Sequence, residues 1–186
     1  MKRLIILSVV ILFTLIVSRS VKAQPPSIQM LGGYVLSPVI NHKERPDFDY
    51  LMLNLRFSWF RHRGISSLME ATYSDPVKGS QGYMVGGTLF LRYEKRLSFN
   101  IIPYIQVGIG ILYNDIYRDR SQDLIGNSIE FTPQGGMGFR WPIDKRISID
   151  TEFIYHHISN ADISERNVGV NGVGIFLGIT YNFRLR

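Results

Sequence analysis

The feature that most constrains the fold is an alternation of apolar and polar residues that recurs along nearly the whole chain. In one such segment the apolar positions are every second residue: Leu51, Leu53, Leu55, Phe57 and Trp59. Polar Asn54, Arg56 and Ser58 lie between them. Side chains of a β-strand point alternately to its two faces, so a period of two predicts strands, whereas a helix needs a period near 3.6. No segment after Gln24 shows a sustained helical period, which predicts an all-β protein.

Eight strands are predicted in this way. They lie at about 27–37, 51–59, 65–74, 83–94, 101–113, 129–141, 147–155 and 171–184. The last is the clearest, because seven of its positions alternate without interruption from Asn171 to Phe183. A soluble β-sandwich also alternates, so the alternation alone leaves two fold classes open.

The aromatic residues at the strand ends separate these two classes. Tyr83 and Tyr93 lie ten residues apart on one apolar face, and Phe131 and Trp141 show the same spacing on another. Ten tilted residues rise roughly 25 Å, which is the height of the lipid-facing band between the aromatic girdles of an outer-membrane barrel. One girdle is predicted to hold Trp59, Tyr93, Trp141 and Tyr181 or Phe183, and the other Tyr73, Tyr83, Tyr113, Phe131 and Tyr155. The sequence therefore predicts an eight-stranded antiparallel up-and-down transmembrane β-barrel of the outer membrane.

The first 23 residues resemble an export signal. Lys2 and Arg3 precede an apolar run over 4–17, and Val21-Lys22-Ala23 offers small residues for cleavage before Gln24. The run is shorter than the roughly 20 residues of a membrane-spanning helix, so a cleaved signal at 1–23 is favoured over an uncleaved anchor, leaving a barrel at 24–186. Four of the positive charges lie in this segment, so the formal charge of +6 falls to +2 without it, which argues against a nucleic-acid partner.

Connection lengths predict the orientation of the barrel. Short turns are predicted at about 61–64, 95–98 and 143–145, and longer connections at about 38–48, 75–81, 115–126 and 160–170. Short turns of such barrels face the periplasm and long loops face outside. Eight strands leave an interior that side chains fill, so no pore is expected. The predicted inward charges form a paired polar plug: Arg56, Glu70, Arg92, Glu94, Glu130, Arg140, Asp150, Glu152 and Arg184.

One hairpin carries residues suited to catalysis. His157 and Ser159 lie two residues apart on the outward face, with Cβ atoms roughly 7 Å apart. If Phe153 pairs with Ile175, then Asn171 lies opposite His157. A nucleophile, a base and an orienting group then meet on the outer wall of the barrel. The alternative is that these polar residues only contact lipid headgroups.

The other histidines do not extend this group. His156 is predicted to point inward, and His42 and His62 have no partners at metal-ligand spacing. There is no cysteine, and the sequence predicts neither a metal site nor a cofactor.

The segment His157-Ile158-Ser159-Asn160-Ala161, followed after a short gap by residues 167–171, resembles the C-terminal motif of the PagL-type lipid A deacylases. This resemblance implies an outer-membrane hydrolase that removes the ester-linked 3-hydroxyacyl chain at the 3-position of lipid A. It implies Ser159 as nucleophile, His157 as general base, and Asn160 with nearby backbone N–H groups as the oxyanion site. The partner implied is the lipopolysaccharide of the outer leaflet, reached from a rim that faces the cell exterior.

The chain departs from the family pattern at two positions. The family triad has a glutamate where Asn171 stands, and Asp162 replaces a glycine that is common after Asn-Ala. An amide oxygen can still orient an imidazole, as in Cys-His-Asn proteases, and Glu165 is a further candidate acid. A phospholipid ester hydrolase and an acyltransferase of the same topology are close variants of this hypothesis. A non-catalytic barrel with a structural or loop-binding role is the alternative from another class.

Overall fold

A computed structural model describes residues 25–37 and 48–183 of the chain. The predicted signal at 1–23 lies outside the described residues, as do most of the first long connection, His42 and Arg184.

The described residues form eight antiparallel strands that close into a barrel in chain order, as predicted. The strands are β1 (Ser27–Leu36), β2 (Asp49–His62), β3 (Ile65–Lys78), β4 (Met84–Glu94), β5 (Ile102–Asn114), β6 (Ile129–Pro142), β7 (Ile147–Ile158) and β8 (Val170–Asn182). β1 pairs with both β2 and β8, so no strand in this sheet has a free edge. One 3₁₀ turn, Ile116–Arg118, lies between β5 and β6. No helix of the described segments is long and apolar enough to cross a membrane.

The predicted alternation appears as a difference in exposure between the two faces of each strand. On β2, Leu53 is 60% exposed and its neighbour Asn54 is 1% exposed. On β8, Leu177 is 63% exposed and Phe176 is fully buried. The large apolar side chains therefore cover the outside of the barrel, which is the surface that a lipid bilayer requires.

The inward charges of the described strands are mostly paired, as predicted. Arg56 donates to Glu70 at 2.5 Å and to both carboxylate oxygens of Glu152 at 2.6 and 2.9 Å. Arg140 donates to Asp150 at 2.8 Å and to Glu94 at 3.4 Å. Burying these charges is tolerated because each has an opposite charge beside it.

Glu130 differs from this pattern. Its carboxylate accepts the backbone N–H of Asn127 at 3.0 Å, and none of the ion pairs of the described residues includes it. A backbone donor thus replaces the cationic partner that the sequence suggested.

The interior near the long loops is apolar instead. Phe48 and Tyr50 on one side pack in one cluster with Ile116, Ile125 and Ile158 on the other, and all are at most 1% exposed. Side chains thus fill the barrel both at the level of the ion pairs and near the long loops, as expected for a barrel of eight strands.

Two connections differ in length from the sequence-based prediction. β3 continues to Lys78, so the β3–β4 connection is only residues 79–83, whereas residues 95–101 connect β4 and β5. β3 can extend through Pro76 because its pairing with β4 ends at Ser74, and a proline is tolerated where no partner needs its N–H. Hydrogen bonds from Lys95 to Pro103 and from Leu97 to Ile101 nevertheless keep the β4–β5 connection tight.

Candidate active site

The predicted hairpin register is the one that the structure has. Phe153 pairs with Ile175, and His157 pairs with Asn171 directly across β7 and β8. The alternation excludes a slip of one residue, which would turn the apolar face of β8 into the barrel, and the pair of Phe153 and Ile175 sets the rest of the register. His157, Ser159 and Asn171 are all half-buried at the end of the barrel that carries the long loops.

Asn171 fixes the imidazole of His157. Its Oδ1 lies 2.7 Å from Nδ1 of the ring and accepts a second hydrogen bond, also 2.7 Å, from the hydroxyl of Tyr155. A carbonyl oxygen only accepts, so Nδ1 of His157 carries the proton. In the neutral ring Nε2 is then left with a free lone pair, which is the state a general base needs.

The structure adds Tyr155 to the predicted group. The sequence places it in an aromatic girdle, and it is indeed 45% exposed on the outer face. Its hydroxyl also holds the amide of Asn171 in the orientation that faces His157. A tyrosine two residues before a histidine on the same strand face is the signal that could have indicated this contact.

The other neighbour of His157 is β6, and here the ladder is interrupted. Pairing runs from Pro142–Ser148 to Gln134–His156 and resumes at an isolated bridge between Phe131 and Ser159. The same register places Pro133 opposite His157, and proline has no N–H to donate. Both bridge hydrogen bonds join Ser159 to the backbone of Phe131, at 2.7 and 3.1 Å, so the backbone of the candidate nucleophile is held firmly.

Gly169 brings the two candidate catalytic side chains to one space. A Cβ at this position would lie 3.5 Å from Cε1 of His157 and 3.7 Å from Cβ of Ser159. The glycine has φ of +72°, a conformation that side chains disfavour. The backbone oxygen of Ile158 would lie nearest, at 3.0 Å, so the imidazole and the hydroxymethyl group border the same closely packed position. No hydrogen bond joins Oγ of Ser159 to His157 among the described residues, and such bonds often form only with substrate bound.

Asn160 is fully buried and organises the β7–β8 loop. Its side-chain Nδ2 donates to Oγ of Ser164 at 2.8 Å and to the carbonyl of Arg166 at 3.0 Å. Its backbone N–H donates to Oδ1 of Asn167 at 2.9 Å, and Nδ2 of Asn167 donates to Asp162 at 2.8 Å. The carboxylate of Asp162 is thus engaged by Asn167.

Arg166 joins this loop to the β5–β6 loop. Its guanidinium donates to the carbonyls of Tyr117 at 2.6 Å, Asp119 at 3.0 Å and Gln122 at 3.2 Å. The N–H groups of Val168 and Gly169 complete the contact by donating to Asp123 and Leu124. The loop that follows Ser159 is therefore anchored to its neighbour by both side chain and backbone.

The remaining histidine of this hairpin points inward, as predicted. Nδ1 of His156 lies 2.5 Å from the hydroxyl of Tyr50, and the residue is fully buried. No cluster of three or more potential metal-ligating side chains occurs within the described residues.

The family described as lipid A 3-O-deacylase (PagL) matches residues 48–180, which is most of the chain and includes the whole candidate site. The chain belongs to the lipid A 3-O-deacylase (PagL) family. No match was found among curated protein sequences.

Solved structures show the same fold as this member of the PagL family. The crystal structure of the outer membrane enzyme PagL has a TM-score of 0.59 at 20% identity, covering 80% of this chain and 97% of that one. Neisserial surface protein A has a TM-score of 0.68 at 11% identity, covering 88% and 100%. The outer membrane protein OprG from Pseudomonas aeruginosa has a TM-score of 0.55 at 15% identity, covering 88% of this chain and 98% of that one. At these identities the likeness establishes the barrel alone.

Proposed function

We propose that this PagL-family protein removes a 3-O-linked acyl chain from lipid A through Ser159 and His157 on the lipid-facing rim of the barrel. The observation that carries the proposal is the hydrogen bond from Nδ1 of His157 to Asn171, which leaves Nε2 free to act as a base, on a ring that borders the same position at Gly169 as Ser159 does. Base and nucleophile share an outward face that is otherwise apolar, where a lipid ester has direct access.

The reaction proceeds by two acyl transfers. Nε2 of His157 takes the proton of Ser159 as Oγ attacks the ester carbonyl carbon, and a tetrahedral oxyanion forms. The intermediate collapses when the C–O bond to the sugar breaks, and His157 returns the proton to the leaving sugar oxygen. Water then attacks the acyl-serine ester with His157 again as base, which releases the fatty acid and restores Ser159.

The oxyanion donors come from the turn after Ser159. Both N–H hydrogens of the Asn160 side chain are engaged within the loop, so in this arrangement Asn160 contributes by holding the turn. Ala161 and Asp162 follow with φ of 54° and 63°, and no hydrogen bond of the described residues uses their backbone N–H groups. These N–H groups are the donors that we assign to the oxyanion.

The amide at position 171 is compatible with this chemistry. The third member of a triad fixes the tautomer and orientation of the imidazole, and Oδ1 of Asn171 does both. An amide stabilises the imidazolium less than a carboxylate would, so we expect a slower enzyme than one with a glutamate at this position.

The site is proposed to lie at the headgroup boundary of the outer leaflet, in an outer membrane. Tyr155 is assigned to the aromatic girdle, His157 follows it by two residues on β7, and Ser159 follows by four, one residue beyond the end of the strand. At about 2.5 Å of rise per tilted residue, they lie roughly 5 to 10 Å beyond the girdle. The ester bonds of a lipid are found at that depth, so the substrate can approach by lateral diffusion.

A labelling experiment tests this orientation. In intact cells, Ser159→Cys should react with a membrane-impermeant thiol reagent, because the rim is proposed to face the exterior. The chain has no cysteine of its own, so any label reports position 159. The unsubstituted protein is the matched control and should remain unlabelled. Labelling that requires permeabilisation of the outer membrane would show that the rim faces the periplasm.

Mass spectrometry of lipid A tests the proposed reaction itself. Cells that produce the protein should contain lipid A lighter by one 3-hydroxyacyl chain than cells without the gene. Unchanged lipid A would favour the alternative, a non-catalytic barrel that acts through structure or loop binding.

A further inference from the structure

An apolar groove lies on the outer wall of the barrel, on the membrane side of the candidate site. It has a volume of about 640 Å³ and crosses four neighbouring strands, β6, β7, β8 and β1. Its walls are mainly the outward side chains of Tyr34, Met137, Phe153, Tyr155 and Val173. We call it the β6–β1 groove. The volume lies within the usual range for sites that bind small molecules.

The groove exists because Gly135 has no side chain. Gly135 is at an outward position of β6 and pairs with Tyr155 on β7. A Cβ built there would meet only one atom within 4 Å, the backbone oxygen of Gln106 at 3.9 Å. A larger residue can therefore be accommodated at this position without backbone strain, and it would occupy the groove.

The groove and the candidate site are continuous. Tyr155 lines the groove with its ring, and its hydroxyl donates to Asn171. Val173 pairs with Tyr155 across the hairpin, also lines the groove, and is two residues from Asn171 on the same face of β8. A chain attached to a carbonyl at Ser159 thus passes directly from the site into the groove.

We propose that the β6–β1 groove binds the acyl chain of the ester that is cleaved, and that Gly135 sets how much of a long chain fits. This inference rests on the proposed function. Ser159 is four positions beyond Tyr155, which corresponds to about 13 Å of extended chain. A butyryl chain ends before the groove, whereas a lauroyl chain extends into it, so the groove acts on long chains selectively.

A second apolar groove of about 760 Å³ provides an internal control. It extends over the outer face from β1 to β6 and includes Ala71, Gly87 and Leu89. At its β6 end it reaches Phe131, whose backbone pairs with Ser159, but neither Tyr155 nor Val173 contributes to it. The contact of Tyr155 with Asn171 favours the β6–β1 groove as the place of the acyl chain.

Hydrolysis of two esters by the reconstituted full-length protein tests the proposal. Gly135→Leu should lower kcat/KM for 4-nitrophenyl laurate at least about ten-fold and leave that for 4-nitrophenyl butyrate within about two-fold, since filling an apolar pocket acts only on chains that enter it. Gly135→Ala should give a smaller shift in the same direction. Ala71→Leu places the same side chain in the other groove and should change neither value.

An unchanged laurate-to-butyrate ratio in Gly135→Leu would overturn the proposal, and so would a selective loss for laurate in Ala71→Leu. Retained heat-modifiability of each variant on gels shows that the barrel has folded.

Photolabelling separates this proposal from the proposed function. A laurate ester with a photoreactive group on its acyl chain, added to Ser159→Ala protein, should cross-link near Met137 and Phe153 more than near Leu89. In the double variant Ser159→Ala, Gly135→Leu, the excess of cross-links near Met137 and Phe153 should disappear. If the unsubstituted protein cleaves neither ester, the proposed function fails, and the cross-link positions still decide whether the groove binds the chain. Equal labelling of both grooves would contradict the proposal that the β6–β1 groove binds the acyl chain.

Discussion

Ser159→Ala is expected to abolish removal of the acyl chain from lipid A while leaving the barrel intact. In the proposed mechanism Oγ of Ser159 forms the acyl-enzyme, so its loss should lower the rate of deacylation by about 10⁴-fold or more. The backbone of Ser159 pairs with Phe131 through N–H and C=O, and alanine retains both bonds. Mass spectrometry of lipid A measures the activity, and heat-modifiability on gels reports the fold.

Ser128→Ala is a suitable control for this experiment. Ser128 is in the neighbouring β5–β6 loop, and among the described residues its hydroxyl donates one hydrogen bond, to the side chain of Asn127 at 3.5 Å. We expect it to retain the deacylation activity of the unsubstituted protein. Deacylation that persists in Ser159→Ala would refute the assignment of the nucleophile.

The barrel and the pairing of His157 with Asn171 could be predicted because both depend on period-two patterning. Burial of one face excludes a slip of one residue, so the alternation of β7 and β8 identified the residues that share a face, and the assumed pair of Phe153 and Ile175 then aligned His157 with Asn171. The same alternation identified the charged residues that fill the interior, such as Arg56 and Glu152, before their pairing was visible.

The contacts that complete the site could not be predicted in this way. The bond from Tyr155 to Asn171 depends on side-chain rotamers, and the position of Gly169 beside His157 and Ser159 depends on the path of an irregular loop. Strand periodicity places Tyr155 and His157 on one face, but it specifies neither the rotamers nor the path of the loop. The extension of β3 to Lys78 was missed for a related reason, because Pro76 reads as the end of a strand unless its partner on each side is known.

Asn171 illustrates both the part of the site that strand register predicts and the part that depends on side-chain contacts. Its position follows from register, and its function follows from two hydrogen bonds that converge on one oxygen. Since Tyr155 and His157 both donate to Oδ1, the amide is held with its carbonyl toward the ring. This double contact is a physical reason why an amide can stand where the family has a carboxylate.

Substitutions of Asn171 test this reasoning with opposite expected results. Asn171→Leu removes the acceptor, so the imidazole loses its fixed tautomer and deacylation should fall about a hundred-fold or more. Asn171→Glu supplies a carboxylate that accepts the same proton and also stabilises the imidazolium, so activity should be preserved or raised. Tyr155→Phe removes one of the two bonds to Oδ1 and should cost about ten-fold. Initial rates of acyl release from lipid A vesicles measure all three.

The pair of variants at position 171 distinguishes orientation from mere packing. Leucine has nearly the branched shape of asparagine without the acceptor, and glutamate has an acceptor on a longer side chain, so a site that depended only on shape would keep activity with leucine and lose it with glutamate. A site that depends on an acceptor for Nδ1 of His157 would lose it with leucine alone. Complete loss of activity in Asn171→Glu would therefore argue that Asn171 does not orient the imidazole during catalysis, and equal rates in Asn171→Leu and the unsubstituted protein would remove it from the mechanism. Activity that follows the acceptor and not the shape is the result that the two hydrogen bonds at Oδ1 predict.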